Sequence, residues 1–125
     1  MTVSDVAVAL EAEIVAGYAG RDALVHDFAA SDLLSDILTF EKEDYALITG
    51  LTNAQIVRTA EITGACCVVV ARGKKPQQAA VTLAERAGIP LLLSPLSLFE
   101  VCTRLGQLAS STHAGSEGTA NPAGT

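Results

Sequence analysis

Residues 45–71, "YALITGLTNAQIVRTAEITGACCVVVA", decide the fold. The stretch opens with a short apolar run that stops at Gly50, which reads as a strand. Asn53 then stands where a helix needs an N-cap, because its side-chain oxygen can accept one of the orphan N–H groups of the first turn. Ile56, Thr59, Ala60 and Thr63 recur at helical spacing, and Gly64 supplies a C-cap. "ACCVVVA" (65–71) follows. A continuous β-branched run of this kind belongs to a strand buried on both faces, as in a parallel sheet.

The same alternation continues toward the C-terminus. "RGKKP" (72–76) is a basic turn, with Pro76 suited to the first position of a helix. Residues 77–88 form an amphipathic helix with Ala80, Leu83, Ala84 and Ala87 inward and Gly88 as its stop. "IPLLLS" (89–94) is another buried strand, broken by Pro95. The last helix is expected over 97–109, with Ser97 at its N-cap and Glu100 three residues on, the capping-box spacing. The pattern is βαβαβα, so an α/β domain is expected: a layered helix–sheet arrangement with a mostly parallel sheet.

The N-terminal half is less regular. A short helix capped by Ser4 is expected at the start, with a strand near residues 13–16 and another over 23–29. "SDLLSDILTF" (31–40) reads as a short helix. Ser31 is its N-cap, Asp32 sits in the first turn where the helix dipole favours it, and Leu33, Leu34, Ile37 and Leu38 form the inner stripe. Residues 41–44 form a polar loop. From Ser110 the chain turns to Ser, Thr, Gly, Ala and Pro without apolar period. A single domain over 1–109 and a disordered tail over 110–125 are therefore expected.

Bulk composition narrows the function classes. The chain has 125 residues, half of them apolar, with three Phe, two Tyr and no Trp. One domain with a core built from Ala, Val, Leu and Ile follows. No apolar run reaches the ~18 residues that a bilayer needs. The N-terminal segment carries Asp5, Glu11 and Glu13 without a basic region, unlike a signal peptide, so a cytoplasmic location is expected. The net charge of −6 argues against nucleic acid as a partner. That charge is uneven: residues 1–50 hold ten acids and two bases, residues 51–108 three acids and six bases. Cys66, Cys67 and Cys102 have neither C-x-x-C spacing nor His partners, so they read as structural thiols and no metal site is expected.

In an open parallel sheet, ligands favour the crevice at the carboxyl ends of the strands. Three such ends are visible, at 48–53, 71–76 and 93–97. They offer Thr49, Thr52, Asn53, Arg72, Lys74, Lys75, Ser94 and Ser97. Thr49, Asn53, Arg72, Lys74, Lys75 and Ser94 are the candidate anion ligands, since turns and helix N-termini present N–H groups to phosphate or carboxylate. The bland alternative is a solvated basic turn, and no phosphate-loop or dinucleotide fingerprint accompanies these residues. His26 beside Asp27 suggests an oriented base, although neighbours on a strand point to opposite faces. Capping accounts for Ser31 and Asp32 but not for Ser35 and Asp36. Ser35 and Asp36, with Asp32 on the same flank of the helix, are candidate surface contacts. No catalytic constellation and no cofactor are expected.

Three stretches, "AGRDALVHDFAASDLLSDIL" (19–38), "ARGKKP" (71–76) and "AGIPLLLSPLSLFEV" (87–101), together with their order, resemble the small stand-alone DRTGG-domain proteins. The resemblance covers residues 3–108. The family motif reads Asp-Arg and then Gly-Gly; here Arg21-Asp22 and His26-Asp27 stand in those places. The resemblance implies an α/β regulatory or dimerising module, found fused to CBS-type modules and similar to the non-catalytic N-terminal domain of HPr kinase/phosphorylase. Without a phosphate-binding loop, kinase activity is not expected. It also implies an accessory role beside iron-only hydrogenases. The expected function is a non-catalytic module acting on a protein partner or on itself, with a homodimer foremost. The alternatives are a sensor of a nucleotide or other small anion and, last, an enzyme using Asp32, Asp36 or His26.

Overall fold

The computed structural model describes residues 1–117, with side chains described to Ser110. The elements are α1 (Val3–Ala9), β1 (Glu13–Ala16), a short 3-10 turn (Tyr18–Gly20), β2 (Asp27–Ala30), α2 (Leu34–Ile37), β3 (Tyr45–Thr49), α3 (Ala54–Thr63), β4 (Ala65–Val70), α4 (Gln78–Ala87), β5 (Leu91–Leu93) and α5 (Leu98–Glu117). The five strands form one sheet in the order β1-β5-β4-β3-β2. β2 to β5 run parallel, and β1 joins β5 antiparallel. The α/β reading and the mostly parallel sheet are both present.

The order explains the layers. From β2 to β5 the chain steps one strand sideways each time, always in the same direction. Right-handed crossovers then put every connecting helix on the same face. That face buries Tyr45, Leu47, Val68, Val70 and Leu91 of the sheet under Ile37 of α2, Ile56, Val57 and Ala60 of α3, and Ala80 and Ala84 of α4. The terminal helices are not crossovers and cover the other face. There Val3, Val6 and Ala7 of α1 and Val101 and Leu105 of α5 meet Ala46, Ile48, Cys67, Val69, Ala71 and Leu92. Alternate residues of β3 and β4 thus serve opposite cores, as strand geometry requires. Full burial of each Leu or Ile there is worth about 1.5–3 kcal/mol.

The capping expected around α3 is present: Asn53 accepts from the Ile56 N–H at 3.2 Å, and Gly64 takes the left-handed conformation. Gly88 ends α4 in the same way. Ser97 accepts from the Glu100 N–H at 3.1 Å, while the Glu100 carboxylate turns to Arg104 instead of closing the box.

Other local expectations need correction. α1 is capped by Thr2, not Ser4, in a full capping box with Asp5; the Ser4 hydroxyl donates to the Arg21 carbonyl. Pro76 lies ahead of α4, whose N-cap is Gln77. Of residues 23–29 only Asp27 to Ala29 lie in β2, and Leu24 makes an isolated bridge to Thr2. The helix expected over 31–40 is the single turn α2, and its N-cap is Leu33, not Ser31. Only Ile37 of its expected inner stripe is buried, and Leu33 and Leu38 are exposed. α5 runs to Glu117, beyond Ala109. The rest of the expected tail, 118–125, lies outside the described residues. Among the described residues no helix is long and apolar enough to cross a membrane.

Candidate functional site

Because β2 to β5 are parallel, their carboxyl ends share one edge of the sheet. Ser31 and Asp32 follow β2, Gly50 follows β3, Ala71 to Gly73 follow β4, and Ser94 follows β5. Asp32 is the organising residue. Its Oδ1 accepts from the Gly50 N–H at 2.6 Å and from the Thr49 hydroxyl at 3.0 Å, tying the exit of β2 to the exit of β3. It is not the first-turn residue of a helix, as its spacing suggested.

The Arg72–Gly73 turn is the second part. Arg72 adopts φ 67° and Gly73 φ 65°. A non-glycine residue in the left-handed region costs about 1 kcal/mol or more, so neighbouring bonds must hold it. The Arg72 N–H donates to the Leu96 carbonyl and the Gly73 N–H to the Ser94 carbonyl, both at 2.7 Å. The Lys74 ammonium reaches back to the Gly50 carbonyl at 3.4 Å. Arg72, Lys74 and Lys75 form no salt bridge among the described residues.

The six candidate anion ligands thus divide. Thr49 and Ser94 are fully buried. Thr49 donates to Asp32 and accepts from the Leu51 N–H; Ser94 donates to the Leu10 carbonyl and accepts from the Leu96 N–H. Asn53 is occupied as a cap. Those three are consumed by the fold, and Arg72, Lys74 and Lys75 remain as cationic heads without a carboxylate partner among the described residues. Asp32, expected as a surface contact, takes part in this edge, a place its spacing did not show. Two polar residues between apolar Ala30 and Leu33 carry no signal that distinguishes a cap from a long-range bond.

A second feature is an apolar groove of about 230 Å³ between β2 and α5, lined by Phe28, Ala29, Ala30, Ile48, Cys102, Leu105 and Gly106. β2 is the last strand on its side of the sheet. Phe99, 81% exposed, precedes Cys102 on α5 by three residues and Gly106 by seven, so the three share a stripe.

The remaining expectations lie elsewhere. His26 Nδ1 stands 3.6 Å from Asp44, both exposed, and Asp27 pairs instead with Lys42 at 3.0 Å. Arg21 stacks on the Tyr18 ring. His26-Asp27 stand where β2 begins, and Ser31-Asp32 where it ends, so the two pairs lie at opposite edges of the sheet. Ser35 and Asp36 are exposed on α2. Cys67 is buried and its thiol is pushed well up, by its neighbour Cys66 and then by burial. Cys66 is half-buried and Cys102 is exposed in the groove. Among the described residues no three His, Cys, Asp or Glu side chains gather as a metal would need.

Known proteins place this architecture. The family model for the DRTGG domain matches residues 5–108. Among solved structures, the CBS and DRTGG domains of the regulatory region of Clostridium perfringens pyrophosphatase, complexed with the activator diadenosine tetraphosphate, match with a TM-score of 0.69 at 17% identity. That match covers 85% of this chain and 46% of the other, so this chain spans less than half of that neighbour. At such identity the likeness speaks for the fold. No curated protein matches the chain. Since the family match begins within α1, ends within α5 and takes in the whole sheet, the chain belongs to the DRTGG domain family.

Proposed function

We propose that this protein is a non-catalytic regulatory module that works by protein contact, first of all with a second copy of itself. The observation that carries the reading is the open edge of β2 lying beside the apolar groove under α5. An edge strand offers unpaired backbone groups, and an adjoining apolar groove adds area that water leaves favourably. Two copies related by a two-fold axis would pair β2 with β2 and lay the Phe99–Cys102–Gly106 stripes against each other. That is a self-complementary interface of the commonest kind. Leu33, Ser35, Asp36 and Leu38 on and around α2 form a second exposed patch, suited to a different partner. The family resemblance extends the partners to iron-only hydrogenase subunits, and affinity capture from the native host tests that link by whether such subunits are recovered.

Light scattering after size exclusion tests self-association. A dimer is expected, and Gly106→Arg should return it to monomer. Gly106 has open space at its missing β-carbon, so the substitution fills the groove without crowding the fold. Monomer at every concentration would refute the reading.

A second reading is a sensor of a nucleotide or other small anion at the carboxyl edge. It is favoured by Arg72, Lys74 and Lys75 standing together without salt bridges among the described residues. The regulatory region that shares this fold was solved with a dinucleotide activator. Calorimetric titration with diadenosine tetraphosphate, with a Lys74→Ala and Lys75→Ala double variant as control, tests it.

A further inference from the structure

The carboxyl edge holds more than cations. Oδ1 of Asp32 is taken by Thr49 and Gly50, whereas Oδ2 has no partner among the described residues. The Arg72 guanidinium has none either. The two nevertheless converge: a β-carbon placed on Gly50 would stand 2.9 Å from Arg72 Nη2 and 3.3 Å from Asp32 Oδ2. They are close without forming an ion pair, and both come near Gly50, which has no side chain to fill the space. Lys74 approaches the same residue through the Gly50 carbonyl. Hydrogen bonds fix the base of both arms: the Asp32 carboxylate is tied to the Gly50 N–H, and the Arg72 and Gly73 N–H groups are tied to the Leu96 and Ser94 carbonyls.

Resting on the anion-sensing reading, we infer that Asp32, Gly50, Arg72 and Lys74 form a binding site for a phosphorylated sugar. The carboxylate oxygen accepts from neighbouring hydroxyls, and the guanidinium and ammonium hold the phosphate. The mixed charge selects the class. A bare phosphate would satisfy the cations but meet Asp32 as a like charge. An uncharged polyol would leave Arg72 and Lys74 unmatched. Only a ligand that carries hydroxyl donors beside an anion satisfies all three groups, and a bidentate Arg–phosphate contact adds direction. Gly50 belongs to the site because a side chain there would occupy the space between the arms.

Calorimetric titration of the full chain tests the site, with ATP, ribose phosphate, a dideoxy-ATP lacking both ribose hydroxyls, and tripolyphosphate. ATP should bind about tenfold more tightly than the dideoxy-ATP, the worth of one hydrogen bond to a charged group, and ribose phosphate should also bind. Asp32→Asn keeps Oδ1 as an acceptor but turns the Oδ2 position into a donor, so it should erase that preference and spare tripolyphosphate. Gly50→Ala should weaken every ligand: its β-carbon displaces the tip of Arg72 and presses on Asp32 Oδ2, both ends of side chains and not backbone, so melting should show it folded. If tripolyphosphate binds as well as ATP and Asp32→Asn leaves every affinity unchanged or tighter, the inference falls and anion sensing stands. If nothing binds, both fall.

Discussion

Replacing Asp32 by alanine should destabilise the fold even though its side chain is exposed. Thr49 is fully buried and the Gly50 N–H lies in the same covered rim. Both donate to the one oxygen that alanine removes, at 3.0 and 2.6 Å. Hydrogen bonds to a charged group contribute about 1.5–3 kcal/mol each, and a buried donor left unmade costs about 1–3 kcal/mol. Water can reach one side of the pair, so the lower end of the combined range applies, about 2–3 kcal/mol. For a chain of this size that lowers Tm by about 8–12 °C. An asparagine in its place would still offer Oδ1 to both donors, so Asp32→Asn should lose no more than about 1 kcal/mol. Thermal melting followed by circular dichroism, with urea titration for the free energies, measures both. Equal losses in the two variants, or a loss below about 0.5 kcal/mol for Asp32→Ala, would show that the rim is not held by this carboxylate.

Two glycines in the left-handed region should behave differently. A β-carbon on Gly17 would stand 2.3 Å from the Ile89 carbonyl oxygen and 2.7 Å from the Pro90 nitrogen, whereas one on Gly88 meets nothing. Gly17→Ala should cost more than about 4 kcal/mol and Gly88→Ala about 1 kcal/mol, compared by urea unfolding. Acid should weaken the fold through Asp27 and Asp5. Lys42 holds the Asp27 carboxyl below its ordinary value, and the Thr2 N–H does the same for Asp5. A depressed carboxyl pKa stabilises above the unfolded value, and that contribution is lost as pH falls through the folded one. The Asp27–Lys42 pair is half-exposed, so its share is well under about 1 kcal/mol. Lys42→Ala should flatten the stability profile below about pH 4, the unfolded carboxylate range, and an unchanged profile would count against the pair.

The C-terminal half was legible because each of its elements obeys one local rule. β3 and β4 are apolar runs, Asn53 and Gly64 bracket α3, and Gly88 stops α4. Local spacing and tertiary placement agree there. Residues 23–40 failed because long-range bonds overrule local preference. Ser31 and Asp32 look like a helix start, yet the Ser31 N–H donates to the Ile48 carbonyl and Asp32 reaches Thr49 and Gly50, pairings that span 17 residues or more. Ser31 caps only its own turn, with its hydroxyl accepting from the Leu33 N–H. At the carboxyl edge, three strand ends were readable as a seat for ligands. Nothing in the local pattern signalled that the hydroxyls of Thr49 and Ser94 would be consumed by the fold, or that an acid from the N-terminal half would join the basic turn.

The proposed contact surface and the proposed ligand site share a strand. β2 carries the open edge, and its exit at Ser31-Asp32 is pinned to β3 by the bonds that fix Asp32 beside Arg72. A ligand that accepts from Arg72 and donates to Asp32 Oδ2 braces that exit, so it restrains the strand whose far side would pair in a dimer. Such coupling is reciprocal: the factor by which ligand tightens the dimer equals the factor by which dimerisation tightens ligand binding. A coupling of about 1 kcal/mol, roughly fivefold, suits a brace that acts through one short strand. Sedimentation equilibrium with and without saturating ATP reads the first factor, and titration of wild type against the monomeric Gly106→Arg variant reads the second. Both should shift together and both should vanish in Asp32→Asn. A dimer constant indifferent to bound ligand would separate the two surfaces and leave β2 as a plain edge.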